Sequence, residues 1–332
     1  MKNVLPLLVL ASCTPMMGRL GLSAPASQAT LPPIDVGDTA TFVVLGDFGL
    51  HEDGRIPARS AAVLDQIDTV CADCDFVLLP GDNLYPNGVP SNGDTAFLDA
   101  LADRVDVPLY LVLGNHDWGA YVWPVGGANK RRVKRQLAWV ETRDDVHGHT
   151  HFWSAQAGPV HLLALDSTYV VRRCNEALVC RGQGLLEALS SLTQPETSAW
   201  TVLAAHHAYL SDGDHGDAGS FVDSPPFNLG RGESWKAAVE ALEPDLLVSG
   251  HDHHLQLIEH DDRLLAISAS GAKSRTVDTE TRPSLFASTD PGFALVRATA
   301  DQLTVEMHTA SRCVAANQKR GEPPKPAKCG AG

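Results

Sequence analysis

The segment Phe76-Val77-Leu78-Leu79-Pro80-Gly81-Asp82-Asn83-Leu84-Tyr85 joins a short apolar run to the polar residues that follow it at once. An apolar run of this length that ends in Pro-Gly-Asp predicts a buried strand leading into a loop. Gly81 allows the sharp turn there, and Asp82 leaves the sheet at the carboxyl end of the strand. Tyr85 follows three residues later, so its phenol oxygen is expected to share one small site with the Asp82 carboxylate.

Four more apolar runs end in the same way, each with oxygen or imidazole ligands close behind the strand. The runs are 41–45, 109–113, 200–205 and 246–249, and the polar residues that follow them are Asp47, then Asn115 with His116, then His206, then His251 with His253. Helical spacing over 56–70 and 94–105 separates the first three runs, which predicts an α/β fold with parallel strands. A lone histidine is ordinary, but five such strand ends together indicate one shared metal site.

The rest of the chain predicts additional strands and one basic helix. Residues 151–157 and 160–166 predict a hairpin around Gly158-Pro159, and runs at 255–259, 264–268, 293–298 and 303–307 alternate like antiparallel strands. The predicted helix over 130–142 carries five cations, which form either a phosphate-gathering patch or a solvated helix face. His147, His149 and His151 are interpreted as a loop entering a strand, because no carboxylate-bearing strand end accompanies them.

Composition and charge narrow the classes of protein. With 332 residues, 44% hydrophobic and 20% charged, the chain can bury a substantial core and is not a disordered protein. A formal net charge of −14 argues against a nucleic-acid backbone as the main partner, since such binding needs a basic face. An acidic protein that handles an anionic substrate needs a local positive centre, which bound metal ions would supply.

The amino terminus predicts export. Lys2 and the apolar run 4–10 are too short to span a bilayer, and Leu10-Ala11-Ser12-Cys13 matches a bacterial lipoprotein cleavage box. We therefore expect a signal peptide over 1–12, acylation of Cys13, and a flexible tether over 13–38, placing the protein in the outer membrane or periplasm. The alternative is an ordinary secretory signal cut near 24–29, which would remove Cys13. The folded domain is then predicted over 39–312, with a disulfide-pinned tail over 313–332.

Six cysteines remain once Cys13 is set aside. An even number in an exported chain predicts disulfides, although six cysteines formally allow 15 pairings. Nearest neighbours in sequence suggest Cys71 with Cys74, Cys174 with Cys180, and Cys313 with Cys329. A zinc site or a redox dithiol at 71–74 is the alternative, although no second CxxC accompanies it.

The strand-end motifs, from about Thr41 to Met307, resemble the calcineurin-like metallophosphoesterase superfamily. With Tyr85 in the second motif they are most similar to purple acid phosphatases of the small, tartrate-resistant type. The resemblance implies a metallophosphoesterase β-sandwich flanked by helices, with the metal site at the C-terminal ends of the strands. It places Asp47, Tyr85 and His253 on one metal and Asn115, His206 and His251 on a second, with the Asp82 carboxylate bridging both.

Elementary chemistry fits that division of the ligands. A phenol ordinarily titrates near pH ~10, so a tyrosinate ligand requires a strongly acidic cation, for which Fe(III) is suited. One amide and two imidazoles suit a divalent ion, namely iron, zinc or manganese. Such a pair of ions would direct in-line attack by a metal-bound hydroxide on a phosphate ester.

The resemblance also assigns two further histidines. His116 is expected to face the phosphate, and His215, in Asp214-His215-Gly216, to bind phosphate and protonate the leaving group. We therefore expect a monomeric acid phosphatase that acts on small phosphate monoesters and meets membranes only through an N-terminal lipid. A phosphodiesterase or nucleotidase on the same core, a metal-binding surface lipoprotein without catalysis, and iron redox chemistry are the alternatives.

Overall fold

A computed structural model describes residues 28–119, 130–173, 192, 198–217 and 231–330 of the chain. Within these residues two eight-stranded sheets pack face to face, and helices cover both outer faces. Sheet I runs in the order β1 (Gln28–Thr30), β6 (Phe152–Ala157), β7 (Val160–Leu165), β8 (Trp200–Ala205), β9 (Leu246–Ser249), β11 (Arg263–Ser268), β10 (Leu255–His260), β12 (Phe286–Ser288). Sheet II runs in the order β16 (Lys325–Ala327), β15 (Cys313–Lys319), β14 (Gln302–Thr309), β13 (Gly292–Ala298), β2 (Ala40–Val44), β3 (Phe76–Leu79), β4 (Leu109–Leu111), β5 (Val146–His147).

The predicted strand–helix alternation is confirmed in both sheets. Strands β2, β3, β4 and β5 pair in parallel, with Phe42 opposite Phe76 and Val77 opposite Leu109. In sheet I, β7, β8 and β9 also pair in parallel. Parallel strands in one sheet share the edge at which their carboxyl ends emerge, so the loops with the predicted ligands leave each sheet together.

Side-chain alternation along the strands builds three hydrophobic layers. Phe42 and Val44 point into the core between the sheets, where Phe42 stacks on Phe76 with ring centroids 4.7 Å apart. The intervening Val43 faces the other way, toward the helices that cover sheet II, α1 (Ala58–Val70), α2 (Ala96–Arg104) and α3 (Lys130–Val140). Helices α4 (Ser167–Arg173) and α5 (Arg231–Leu242) cover the outer face of sheet I.

The predicted flexible tether over 13–38 needs correction at its carboxyl end. Residues 28–30 form β1, which pairs in parallel with β6, and Leu31 and Ile34 are buried in the core between the sheets. Burial of these two apolar side chains and the hydrogen bonds of β1 hold the segment in place. The predicted signal peptide, Cys13 and the rest of the tether lie outside the described residues.

The predicted tail over 313–332 is also part of the fold. Strand β15 pairs with β14 over seven residues, and β16 pairs with β15, so sheet II extends to residue 327. The disulfide between Cys313 and Cys329 is present, as is the one between Cys71 and Cys74. The predicted bond between Cys174 and Cys180 lies outside the described residues.

Two predicted hairpins form as expected but belong to different sheets. β10 and β11 pair antiparallel in sheet I, whereas β13 and β14 pair antiparallel in sheet II. The hairpin of β6 and β7 is confirmed, with Ala157 opposite Val160 on either side of the predicted turn at Gly158-Pro159. No helix within the described ranges combines the length and the apolar character needed to cross a bilayer.

Candidate metal centre

The five strand ends singled out in the sequence converge on one site. Three of them leave sheet II after β2, β3 and β4, and two leave sheet I after β8 and β9. Asp47, Asp82, His251 and His253 each adopt a positive φ, between 56° and 79°. Non-glycine residues rarely occupy this left-handed region, and such strain clusters at functional sites. The strand-end loops are therefore held in conformations that aim these side chains inward.

Asp47, Tyr85 and His253 form a close triad. The Tyr85 hydroxyl donates a hydrogen bond to Asp47 Oδ1 at 2.8 Å and lies 3.1 Å from His253 Nε2. His253 Nε2 is 3.2 Å from the same Asp47 oxygen. The other Asp47 oxygen accepts the backbone N–H of His251 at 2.7 Å, which fixes the carboxylate. The three side chains predicted to share the first metal thus present their donor atoms to a single point.

A second triad lies beside the first. Asn115 Oδ1 is 2.8 Å from His206 Nε2 and 3.0 Å from His251 Nδ1, and the two ring nitrogens are 3.2 Å apart. His206 Nδ1 lies 3.0 Å from the carbonyl oxygen of Pro80. A ring nitrogen that is held by a backbone carbonyl leaves the opposite nitrogen to face a metal ion.

Asp82 lies between the two triads. Its Oδ1 accepts the backbone N–H of His116 at 2.8 Å and is 3.3 Å from His206 Nε2. One ligand atom each from Asp47, Asp82 and His206 lie within 4.8 Å of one another, and all three side chains are buried. The Asp82 carboxylate is thus placed where it can reach cations on both sides.

The chemistry of this donor set fits metal ions. Carboxylate, amide and imidazole lone pairs meet at about 3 Å, which is the separation of ligands that surround one cation at about 2.1 Å. Oxygen donors dominate the first triad and nitrogen donors the second. The first triad, with its carboxylate and phenol, suits a harder and more highly charged ion than the second.

Electrostatics in the site favour the metal-binding forms of two residues. Burial raises the pKa of Asp47, but the hydrogen bond and charge of His253 outweigh burial and hold it below the usual range. Burial lowers the pKa of His206 and so favours the neutral imidazole, although the nearby carboxylates of Asp82 and Asp47 act to raise this pKa. Burial, with the charges of Asp47 and Asp82, raises the pKa of Tyr85 well above 10.0. Tyrosinate at this position therefore requires a strongly acidic cation.

Asp117, which the sequence analysis passed over, ties the loops of the site together. Its buried carboxylate accepts the backbone N–H groups of Asn83, Leu84 and Gly114 at 3.0, 3.2 and 2.8 Å. The Asn83 side-chain amide donates to it as well, at 3.0 Å. Burial and the charge of Asp82 raise the pKa of Asp117 to about 8. The hydrogen bonds from the backbone N–H groups lower this pKa, but their effect is smaller. One carboxylate thus joins the loop that carries Asp82 to the loop that carries Asn115.

Both predicted non-ligand histidines lie at the centre. The His116 ring packs on the Tyr85 ring with centroids 4.4 Å apart, and His116 Nε2 is 3.9 Å from Asp82 Oδ2. The His215 ring lies 4.1 Å from that of His251, and its backbone N–H donates to Asp252 at 2.8 Å. Geometry thus places one histidine beside each triad.

Two cations that the sequence analysis did not identify also border the site. Lys273 Nζ lies 3.5 Å above the centre of the Tyr85 ring. Burial lowers the pKa of Lys273, while the charges of Asp82 and Asp47 act in the opposite direction. Arg275 Nη1 is 2.7 Å from His215 Nε2. Both residues lie in the loop after β11, which carries no apolar periodicity and no ligand motif that would have marked it.

The basic helix α3 is only partly a solvated face. Arg132 donates to the carbonyl of Asn87 at 2.6 Å, and Arg135 donates to that of Val89 at 2.8 Å. These hydrogen bonds connect α3 to the loop that follows Tyr85 and stabilise the position of that loop. Three other cations of α3 line a cavity of about 750 Å³ together with Trp118, His149, His151 and Tyr169.

His151 forms a contact of a different kind from a metal ligand. Its Nδ1 lies 2.9 Å from Asp166, which also accepts the Trp118 indole N–H. A second cluster of Glu306, His308 and Cys313 has metal-like spacing, but the Cys313 sulfur is bonded to Cys329. Neither group belongs to the site built by the five strand ends.

Comparison with known proteins decides the family. The family model for calcineurin-like phosphoesterases matches residues 40–255, which include all five strand ends. The chain belongs to the calcineurin-like phosphoesterase family. This phosphoesterase assignment supports a hydrolase that acts on phosphate esters at a metal centre.

Curated relatives of this phosphoesterase include plant purple acid phosphatases. Purple acid phosphatase 3 of Arabidopsis thaliana is 26% identical over 266 residues, covering 74% of this chain and 66% of that protein. Purple acid phosphatase 4 of the same plant is 25% identical over 300 residues, covering 82% of this chain and 80% of the relative. The chain thus spans about two thirds to four fifths of the length of these relatives.

Solved structures confirm the fold. Purple acid phosphatase PPD1 from yellow lupin (Lupinus luteus) seeds superposes with a TM-score of 0.62 at 16% identity, covering 86% of this chain and 55% of that one. GAP50, described as the anchor in the inner membrane complex of Plasmodium, gives 0.58 at 18% identity, covering 82% and 85%. At these identities the likeness concerns the fold alone.

Proposed function

We propose that this phosphoesterase is an acid phosphatase that hydrolyses phosphate monoesters at a dinuclear centre of Fe(III) and a divalent metal. The observation that carries the proposal is the buried Tyr85 hydroxyl between Asp47 Oδ1 and His253 Nε2, at 2.8 and 3.1 Å. A phenol that packs against a carboxylate and an imidazole is a ligand set for a strongly acidic cation. The similarity to purple acid phosphatases supports the same interpretation.

In this proposal each triad holds one ion. Asp47, Tyr85 and His253 would hold Fe(III), while Asn115, His206 and His251 would hold iron, zinc or manganese in the divalent state. Asp82 would bridge the pair, since its carboxylate lies between the triads. When bound, the two cations supply Lewis-acid polarisation of the phosphoryl group and activation of the attacking water.

The chain's own residues would do the rest of the chemistry. His116, whose side chain is 23% exposed, is placed to donate a hydrogen bond to a phosphoryl oxygen next to Asp82. His215 is proposed to bind phosphate and to deliver a proton to the leaving alkoxide. Arg275 donates to His215 Nε2 in this structure, so delivery of a proton from that nitrogen would require that Arg275 first leave it. Burial lowers the pKa of His206 and favours the neutral ligand, while the carbonyl oxygen of Pro80 holds Nδ1 and so fixes the orientation of the ring.

Small phosphate esters are the proposed substrates, and nucleic acid is not a proposed partner. The net charge of −14 disfavours binding along a nucleic-acid backbone, whereas one phosphate needs only the local charge of the metal centre. We further propose that the protein is a monomer exported as a lipoprotein through Cys13. The two disulfides in the described part of the chain support an oxidising compartment.

The experiment that tests the function joins metal analysis to a visible spectrum and a monoester assay. Purified protein is expected to contain iron plus a divalent metal, to absorb in the visible through tyrosinate-to-iron charge transfer, and to hydrolyse p-nitrophenyl phosphate. Tyr85→Phe should abolish the absorption band, since the phenolate is its source. A colourless, iron-free enzyme that prefers diesters would refute the proposal in favour of a phosphodiesterase or nucleotidase. A metal-loaded protein inactive on both esters would support a role without catalysis.

A further inference from the structure

The side chain of Lys273 contacts the proposed iron ligand Tyr85, and the proposed function gives it no role. The Nζ of Lys273 lies 3.5 Å above the centroid of the Tyr85 ring, and the side chain is half-buried. The carboxylates of Asp82 and Asp47 attract this ammonium group. Lys273 therefore belongs to the inner wall of the site and not to the outer surface of the loop.

The loop that carries Lys273 is held in register with the metal ligands. The backbone N–H of Arg275 donates to the carbonyl of His253 at 2.8 Å, and that of Ala269 donates to His254 at 3.1 Å. Ser274 also forms a hydrogen bond with Arg59 of α1. Because both sides of Lys273 are tied to backbone or helix, its position over Tyr85 is a built feature of the fold.

Lys273 and His116 border the same aromatic ring. The His116 ring centroid is 4.4 Å from that of Tyr85, on which Lys273 Nζ also rests. An ammonium group carries three N–H donors, and its contact with a ring face leaves donors for an anion. A phosphoryl group bound beside His116 would lie within the reach of the flexible lysine stem.

Resting on the proposed function, we propose that Lys273 binds the phosphoryl group directly and sets a preference for dianionic monoesters over monoanionic diesters. A phosphate monoester carries a second ionisation with a pKa of about 6, whereas a diester has none. The extra negative charge gains from a fixed cation in a partly desolvated site, and the singly charged diester gains less. Lys273 would thus determine specificity within a two-metal core that could accept either ester.

The test compares metal-loaded full-length protein with three variants. Lys273→Met removes the charge and keeps the length, Lys273→Arg keeps the charge, and Lys325→Met is a matched control on the last strand of sheet II. The substrates are p-nitrophenyl phosphate and bis(p-nitrophenyl) phosphate, each at about pH 7 and about pH 5, on either side of the monoester's second pKa. Titration calorimetry with inorganic phosphate gives a readout that does not depend on turnover, and metal analysis accompanies each variant.

Lys273→Met is expected to lower kcat/KM for the monoester by about 10- to 100-fold at pH 7, the effect of one charge-assisted hydrogen bond. The diester should change by less than about threefold, and the difference between the esters should shrink at pH 5, where the monoester is a monoanion. Phosphate affinity should fall with monoester activity, Lys273→Arg should recover part of both, and Lys325→Met should match wild type.

Three outcomes would overturn the role of Lys273: equal losses on both esters, unchanged phosphate affinity in Lys273→Met, or loss of metal from that variant. If wild-type protein hydrolyses neither ester, the proposed function fails. Phosphate calorimetry on Lys273→Met then still decides whether this lysine binds the anion. The two failures are therefore distinguishable.

Discussion

Replacing Asp117 by asparagine should disconnect the loops that carry the metal ligands. The carboxylate is fully buried and is surrounded by N–H donors from two loops. Asp117→Asn keeps the shape of the side chain but exchanges one acceptor oxygen for an NH2 group. The change therefore tests hydrogen bonding without creating a cavity.

The magnitude follows from counting donors. Oδ1 accepts the backbone N–H groups of Asn83 and Leu84, and Oδ2 accepts the Asn83 amide and the Gly114 N–H. Whichever way the asparagine amide turns, its NH2 group faces two buried donors. Each donor left without an acceptor costs about 1–3 kcal/mol, so the variant should lose about 2–6 kcal/mol of unfolding free energy. That is a large fraction of the roughly 5–15 kcal/mol typical of a folded domain.

The assay is urea unfolding of metal-free protein at about pH 6, below the pKa of about 8 for Asp117, because ionisation of this buried group at higher pH lowers the stability of the wild type itself. The hydroxyl oxygen of the protonated side chain still accepts hydrogen bonds, whereas the amide nitrogen of asparagine does not. Asp103→Asn is the matched control, because Asp103 is 68% exposed in its ion pair with Arg143. Exposed ion pairs contribute about 0–1 kcal/mol to stability, so the free energy of unfolding of the control should be close to that of wild type. If Asp117→Asn were as stable as Asp103→Asn, the reasoning that this carboxylate joins the two loops would be refuted.

Two further perturbations probe other parts of the fold. In Gly114→Ala, the new Cβ would lie 2.2 Å from the Asp82 backbone nitrogen and 2.3 Å from its Oδ1. The variant should therefore displace Asp82 and lose bound metal and activity together. A variant that kept its metal content would contradict this displacement of Asp82. Burial raises the pKa of Glu306, but hydrogen bonds from His308 and the Gly330 N–H outweigh burial, so the net pKa is below 4.5. Its stabilisation is therefore present above about pH 4.5 and is lost as the pH falls through the lower folded-state pKa. The free energy of unfolding of Glu306→Gln should be about 1–2 kcal/mol below that of wild type at neutral pH, and this difference should shrink below about pH 4. Chemical denaturation over a range of pH measures it. A difference that stayed constant down to about pH 2.5 would argue against the ion pair of Glu306 with His308.

The ligand positions could be predicted because each follows an apolar run directly. Asp82 and Asn115 stand within three residues of β3 and four of β4, so the direction of the strand fixes where they emerge. Strand parallelism then brings side chains from distant parts of the chain to one edge. The sequence carries both pieces of information locally, in hydrophobic runs and in the residues that end them.

Lys273 and Asp117 could not be found in that way. Lys273 reaches Tyr85 only because β11 inserts between β9 and β10 in sheet I, an order that no local pattern encodes. Asp117 follows Asn115 and His116, and its role appears only once N–H groups from two loops are seen to donate to it.

The ordered segments at the two ends of the fold could not be predicted from the sequence for a different reason. Leu31 and Ile34 are separated by two prolines, so their burial against the sheets leaves no periodic signal. Strand β15 has two adjacent buried alanines, Ala315 and Ala316, and small side chains blur the two-residue alternation that marks a half-buried strand. Tertiary pairing with β6 and β14 supplies the order that local sequence does not.

A crystal structure with anomalous scattering at the iron edge and at the second metal's edge tests most directly whether two cations bind at the strand ends of the paired sheets. We predict two peaks about 3.5–4 Å apart, an iron peak bonded to Asp47, Tyr85 and His253 and a second peak bonded to Asn115, His206 and His251, with Asp82 bonded to both. A single peak, or an iron peak without a bond to Tyr85, would contradict the account.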